Sequence, residues 1–208
     1  IILNKKLNLI HKSWAFNRKV SLSFDKHVTQ SVPFYTVFQK DVAKYSEWFL
    51  KDEALIYDLG CSTGQTIKYI SKLGTSTNIN IRGIDNSKTM IKLAKEKLKN
   101  INAKNINIEL SVADVNKIQI EKCNLIYSIL LMPFLSKKNQ INLIEKSFKS
   151  LNKGGGFIFV TKVFSKNSFF QDIFNQLYFD FKLSKKLSEE DILKKAKSLR
   201  SVMSLNTE

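Results

Sequence analysis

Residues Asp58-Leu59-Gly60-Cys61-Ser62-Thr63-Gly64 decide the reading of this chain. They follow a short apolar run, Ala54-Leu55-Ile56-Tyr57, that suits a buried parallel strand. Gly60 permits a sharp turn out of that strand. Cys61 and Ser62 are small enough to let a ligand reach the backbone. Gly64 allows the next helix, expected over Thr63–Lys72, to pack closely, and its N-terminus favours an anionic group. A dinucleotide fold would require G-x-G-x-x-G, and Ser62 and Gln65 break that fingerprint.

Downstream, strands and helices alternate. Strands are expected at Ile79–Ile84, Ile106–Val112, Leu125–Leu130 and Phe157–Val163. Ser87 is a good N-cap for a helix to about Leu98. Another helix is expected over Asn139–Leu151, closed by Asn152-Lys153-Gly154-Gly155, with two more over 167–183 and 188–201. Upstream, Phe34, Val37, Phe38, Val42, Tyr45 and Phe49 have helical spacing, and Pro33 suits the first turn of that helix. The alternation predicts an α/β fold, a Rossmann-like doubly wound, mostly parallel sheet with helices on both faces. Residues 1–33 are expected to form an N-terminal arm and lid segment, and 34–208 the ligand-binding domain. The basic stretch 1–20 carries apolar Leu7, Leu9, Ile10, Trp14 and Phe16, as an amphipathic arm would. After Val163 only helical segments are expected, so the terminal strand hairpin common in related sheets is expected to be missing.

Ligands of such sheets bind beyond the carboxyl ends of the strands, where Asp58, Asp85 and Asp114 all fall. Asp85 lies 25 residues past Gly60, and its carboxylate can accept from two ribose hydroxyls. Capping of the helix at Ser87 is the plainer role for it. Asp114 can accept from an adenine amino group or serve as a solvated loop acid. Val115 and Met90 suit either the adenine faces or the core.

Composition narrows the rest. The chain has 208 residues, 43% of them hydrophobic, as one globular domain requires. The longest apolar run, Leu125–Leu135, is broken by Ser128 and Pro133, so no membrane span is expected, and the location is read as cytoplasmic. Cys61 and Cys123 are expected to be reduced. With His11 and His27 the only histidines, no metal site is expected. The net charge of +16 invites a nucleic-acid reading. All but three of the 34 basic residues are lysines, however, and Lys, Asn and Ile are abundant together. That bias favours solvated lysine faces over an RNA surface, so direct nucleic-acid binding is open but not favoured.

The glycine loop in this context resembles motif I of the class I S-adenosylmethionine-dependent methyltransferases, with Ser62 at the middle glycine. Further stretches resemble the carboxy-S-adenosylmethionine synthase family from about residue 24 to the C-terminus. They are Phe24-Asp25, Ser31-Val32-Pro33-Phe34-Tyr35, Tyr57 to Ser62, Ile84-Asp85-Asn86-Ser87, Met90-Ile91, Leu151 to Gly155, Asp180-Phe181-Lys182 and Leu199 to Met203. The resemblance implies conversion of S-adenosylmethionine and prephenate into the carboxylated cofactor used in tRNA wobble-uridine modification. It implies that Tyr35, Gly60, Cys61, Ser62, Asp85, Asn86, Asp114 and Val115 line the cofactor, with Asp58 and Gly64 completing the loop. The family's carboxylate-reading arginine falls on Ala196, and its asparagine after the fourth strand falls on Ile129. An alanine cannot form an arginine's charge-assisted fork; Lys197 and Arg200 are the nearby cations.

The leading expectation is therefore methyl transfer from S-adenosylmethionine to a small-molecule acceptor, with S-adenosylhomocysteine as the alternative ligand and the carboxylated cofactor disfavoured. Acceptor-side candidates are Tyr35, Phe34, Met132, Phe134 and Lys162. No catalytic residue is assigned. Carboxy-S-adenosylmethionine synthesis is the alternative, and a noncatalytic cofactor-binding or RNA-binding protein the third reading. A homodimer is left open.

Overall fold

The computed structural model describes residues 24–74, 76–101, 104–199 and 202–207. The basic arm expected at 1–20 and the cation Arg200 lie outside them. The chain opens with helices α1 (Phe24–Ser31) and α2 (Tyr35–Ser46), followed by a 3₁₀ turn at Glu47–Phe49. Strand β1 (Ala54–Leu59) leads to α3 (Gln65–Ile70), β2 (Ile79–Asp85), α4 (Lys88–Leu98), β3 (Ile106–Val112) and β4 (Cys123–Ile129). A 3₁₀ turn at Met132–Phe134 precedes α5 (Lys137–Ser150) and β5 (Leu151–Val160). The remaining elements are β6 (Val163–Phe164), α6 (Ser168–Ser184), α7 (Glu189–Ser198) and β7 (Asn206–Thr207).

Five strands form one parallel sheet in the order β3-β2-β1-β4-β5. The order reverses beside β1, so the β1–α3 loop opens at the switch point where such sheets hold ligands. Along β1, side chains alternate between two cores. Ile56 joins Val42, Ala43, Ile67, Ile70, Ile81 and Ile91 on the face covered by α2, α3 and α4. Tyr57 and Leu59 join Val115, Ile126, Met132 and Leu143 on the face covered by α5. Helices thus flank both faces, as the apolar strand runs require.

The helix starts are set by side-chain caps that satisfy otherwise unpaired N–H groups. Ser87 accepts from Met90, Ser136 from Asn139, and Ser188 from Asp191. Asn167 accepts from both Phe169 and Phe170. The resulting α6 buries none of its residues, and Phe169, Phe170, Phe174 and Leu177 remain exposed.

The structure corrects several boundaries. Pro33 does not open α2; it sits in a turn, and Phe34 takes a left-handed φ of 58° before the helix begins at Tyr35. The helix after the glycine loop is shorter than Thr63–Lys72. Strand β5 begins at Leu151, so Asn152–Gly155 is an irregularity within the strand and not a helix-closing loop. Gly156 is there for packing: a Cβ would come within 2.6 Å of the Phe49 ring. The segment after Val163 is not wholly helical, because β6 and β7 form a two-residue parallel ladder. Residues near β7 are tied to α5, with Gln140 Nε2 donating to the Ser204 carbonyl at 2.7 Å. Among the described residues, no antiparallel strand follows β5 in the main sheet.

Candidate active site

Asp58, near the end of β1, is only 4% exposed. Burial raises its pKa to about 8, with neighbouring Asp85 adding to the rise. The Tyr127 hydroxyl from β4 lies beside it, yet makes no hydrogen bond of ordinary geometry. Among the described residues no cation pairs with this buried carboxylate, and the carboxylate and hydroxyl together fit a ligand ammonium group. Tyr35, 9% exposed, reaches the same place from α2; burial and the acids Asp25 and Asp58 push its phenol up.

The loop after β1 is held from three sides. The N–H groups of Gly60 and Cys61 both donate to the Ile84 carbonyl, at 2.8 and 3.0 Å. Gly60, Ser62 and Gly64 all have positive φ, at 80°, 49° and 73°. Ser62 thus occupies a conformation that suits glycine, which is why a glycine is the common choice there. The Ser62 N–H donates to Asp85 Oδ2 at 3.0 Å, and the Ser87 N–H donates to Oδ1 at 2.9 Å. Asp85 therefore joins loop and helix, and burial raises its pKa despite both bonds. Each of its oxygens still has a lone pair for a ligand hydroxyl.

The third support is one the sequence reading missed. Asp25 on α1 accepts from the Thr63 hydroxyl at 2.6 Å and pairs with Lys97 of α4 at 2.6 Å. Lys97 also donates to Thr63 and Gln65. These partners lie 32 to 72 residues apart, so no local pattern could reveal them.

The other expected residues divide. Asn86 is exposed beside Asp85. Met90 is buried, with its sulfur 3.6 Å from the Ser62 hydroxyl. Asp114, two residues past β3, accepts from the backbone and side chain of Asn116, both at 2.9 Å, and so shapes its own turn. The Ala113 N–H donates to the Asp85 carbonyl at 3.0 Å, holding that turn beside the β2 end. Val115 is 5% exposed within the second core. Cys61 and Cys123 are buried free thiols; burial raises both, Cys123 to about 11, so neither is poised as a thiolate. Among the described residues no His, Cys, Asp and Glu group could hold a metal, and no helix is long and apolar enough to cross a membrane.

Of the acceptor-side candidates, Phe34 is exposed and Met132 buried. Ala196 is exposed on α7, while Ile129 is half-buried at the end of β4 against the first core. Polar depressions lined by Glu53, Asn80, Arg82 and Glu109 lie toward the amino ends of β1–β3, away from this loop.

Comparison with known proteins agrees with this geometry. Residues 56–155 match the model of a methyltransferase domain. A crystal structure described as an S-adenosyl-L-methionine-dependent methyltransferase of Methanococcus maripaludis has the same fold. It superposes with a TM-score of 0.56 at 20% identity, over 93% of this chain and 88% of that one. The plantazolicin methyltransferase BpumL, solved with S-adenosylhomocysteine (SAH), gives 0.59 at 24% identity, over 91% and 64%. In sequence, the carboxy-S-adenosyl-L-methionine synthase of Staphylococcus epidermidis is 35% identical over 191 residues, covering 91% of this chain and 81% of the relative. The enzyme of the same name from Sulfurimonas denitrificans is 32% identical over 194 residues, covering 93% and 81%. With such likeness across nearly its whole length, the chain belongs to the carboxy-S-adenosyl-L-methionine synthase family.

Proposed function

We propose that this protein binds S-adenosylmethionine at the carboxyl ends of β1, β2 and β3 and carries out the reaction for which its relatives are named, carboxylation of that cofactor at the expense of prephenate. The carrying observation is the pairing of the positive-φ Gly60–Gly64 loop with a buried Asp58 that forms no ion pair among the described residues. In this reading Asp58 and Tyr127 take the methionine ammonium, and the loop backbone lies along the methionine. Asp85 accepts from the ribose hydroxyls through its remaining lone pairs. Asp114 and Asn86 border the adenine, with Val115 and Met90 behind it. Tyr35 closes the site from α2. These residues bind, orient and exclude water; the reactive sulfonium is the cofactor's own.

The test is incubation of the purified protein with S-adenosylmethionine and prephenate, followed by mass spectrometry of the nucleoside products. Carboxy-S-adenosylmethionine is the expected product. Binding of S-adenosylmethionine without that product would overturn the reaction and leave the cofactor assignment standing.

A second reading has its own observation. Ala196 stands where the resembled family has an arginine, and it is an exposed residue with no charge to offer. Ordinary methyl transfer to a small molecule then accounts for the intact cofactor loop, and it predicts S-adenosylhomocysteine as the nucleoside product.

A further inference from the structure

Three crossovers of the main sheet carry a helix: α3 between β1 and β2, α4 between β2 and β3, and α5 between β4 and β5. The crossover from β3 to β4 does not. Residues 113–122 run from the carboxyl end of β3 to the start of β4 as turn and coil, and they pass β2 and β1 on the way. Val115 and Ile120 are buried, and Ile118 packs beside them, in the core that holds Tyr57, Leu59 and Leu143. A helix satisfies its own carbonyls, whereas coil laid on a core needs donors from elsewhere.

Helix α5 supplies those donors. Lys146 Nζ donates to the Val115 carbonyl at 2.6 Å and to the Ile118 carbonyl at 3.0 Å. One turn later, the Ser150 hydroxyl donates to the Ile120 carbonyl at 2.9 Å and shares that proton with the Lys146 carbonyl at 3.0 Å. The two anchors differ in strength. A charged donor makes bonds roughly twice as strong as a neutral one, and the charged donor holds the end of the connector next to Asp114. Among the described residues Lys146 forms no ion pair. Burial lowers its pKa while Asp114 acts in the opposite direction, so the ammonium feels that acid without bonding to it.

The anchored carbonyls belong to the turn that begins at Asp114. The Asp114 carbonyl accepts from the Lys117 and Ile118 N–H groups at 2.9 and 3.2 Å, and the Ala113 N–H ties the near side to Asp85. The turn is thus fixed to β2 on one flank and to α5 on the other. Asp114 itself is half-buried between the two attachments.

We propose that Lys146 is a positioning residue for base recognition: by anchoring the Val115 and Ile118 carbonyls to α5, it holds Asp114 where the carboxylate accepts from the adenine amino group. This rests on the reading of the strand ends as the cofactor site. Hypoxanthine has a carbonyl oxygen where adenine has its amino group, so a fixed carboxylate accepts from one base and repels the other. A carboxylate free to swing toward solvent binds adenine less well and tolerates hypoxanthine better.

The experiment is calorimetric titration of the full chain with S-adenosylhomocysteine and with S-inosylhomocysteine, read as the ratio of the two affinities. The parent is expected to favour the adenine ligand by about tenfold or more, and Lys146→Met to lower that ratio about tenfold, the loss of one charge-assisted contact. Lys146→Arg should restore the ratio, because a guanidinium can serve two carbonyls. Ser150→Ala loosens the other end of the connector and should lower the melting temperature while leaving the ratio unchanged. Lys146→Gln keeps a neutral donor, and serves if the Met variant fails to fold: its ratio should fall part of the way. Equal loss of both ligands in the Lys146 variants would reduce Lys146 to a structural role and overturn the proposal. So would an unchanged ratio, a parent that does not discriminate, or a ratio that falls as far in Ser150→Ala. A parent that binds neither ligand would instead sink the cofactor reading, and the base-recognition role with it.

Discussion

The backbone N–H of Ser62 donates to Oδ2 of Asp85 across 3.0 Å, so the carboxylate at the end of β2 holds the loop at the end of β1. The other oxygen holds the Ser87 N–H. Ribose recognition and helix capping are therefore compatible duties of one side chain.

Asp85→Ala is expected to weaken S-adenosylmethionine binding about tenfold or more, since hydrogen bonds to a charged group contribute about 1.5–3 kcal/mol each. It should also lower stability by about 1–3 kcal/mol, because two backbone donors lose their acceptor. Calorimetry and urea unfolding measure the two effects separately. Loss of stability with unchanged affinity would confine Asp85 to a structural role.

Asp58 gives a pH signature. Its folded pKa of about 8 lies above the ordinary carboxylate value, so the folded state holds a proton that the unfolded chain has lost. Stability of the free protein should therefore fall as pH rises from about 4 to about 8. Asp58→Asn should flatten that slope and gain about 1–3 kcal/mol at pH 8, while binding S-adenosylmethionine more weakly. A ligand ammonium beside Asp58 would lower its pKa, so cofactor binding at pH 7 should release a proton. Binding with no buffer-dependent heat would place the ammonium elsewhere.

How much of this was legible depends on whether a residue's reason is local. Gly60 and Gly64 were readable because a turn from strand to helix needs positive φ, and the sequence shows both glycines within the turn itself. Strand β3 falls at Ile106–Val112, where its alternating Ile and polar residues put it. Gly154 and Gly155 misled for the opposite reason. They read as a helix stop, yet they lie within β5, where the next residue, Gly156, makes room for the Phe49 ring, more than 100 residues away in the chain. The Asp25–Thr63–Lys97 clamp and the meeting of Lys195 with His27 likewise join distant elements, and nothing in their own neighbourhoods announces them.

Gly83 is a sharper case of the same kind. In the middle of β2 it read only as part of a strand, yet a Cβ there would come within 2.6 Å of Leu110 and 2.9 Å of Ile67. Its absence lets α3, which follows the cofactor loop, settle onto the sheet. Gly83→Ala is expected to cost about 1–3 kcal/mol through overpacking. It should also weaken S-adenosylmethionine binding by shifting the loop. A melting temperature equal to that of the parent would show that Leu110 and Ile67 move aside freely.

The last prediction concerns Ala196. On α7, Ile192 is buried and Lys195 reaches α1, so these two mark the inward stripe of the helix. Ala196 lies four residues after Ile192, at the border of that stripe, and one after Lys195. An arginine there would stand beside Lys195, adding a planar fork that a lysine cannot mimic. It should also raise the local charge and lower the pKa of Lys195. Ala196→Arg is therefore expected to shift preference between S-adenosylmethionine and its carboxylated form toward the latter by about tenfold, the contribution of one charge-assisted contact. Competition between the two cofactors, measured on the parent, on Ala196→Arg and on Ala196→Arg combined with Lys195→Met, separates the contributions. If Lys195 already reads the added carboxylate, the parent holds the carboxylated form at least as well as S-adenosylmethionine, and Lys195→Met abolishes that. A parent that prefers S-adenosylmethionine, and changes preference only with the arginine, would point to ordinary methyl transfer.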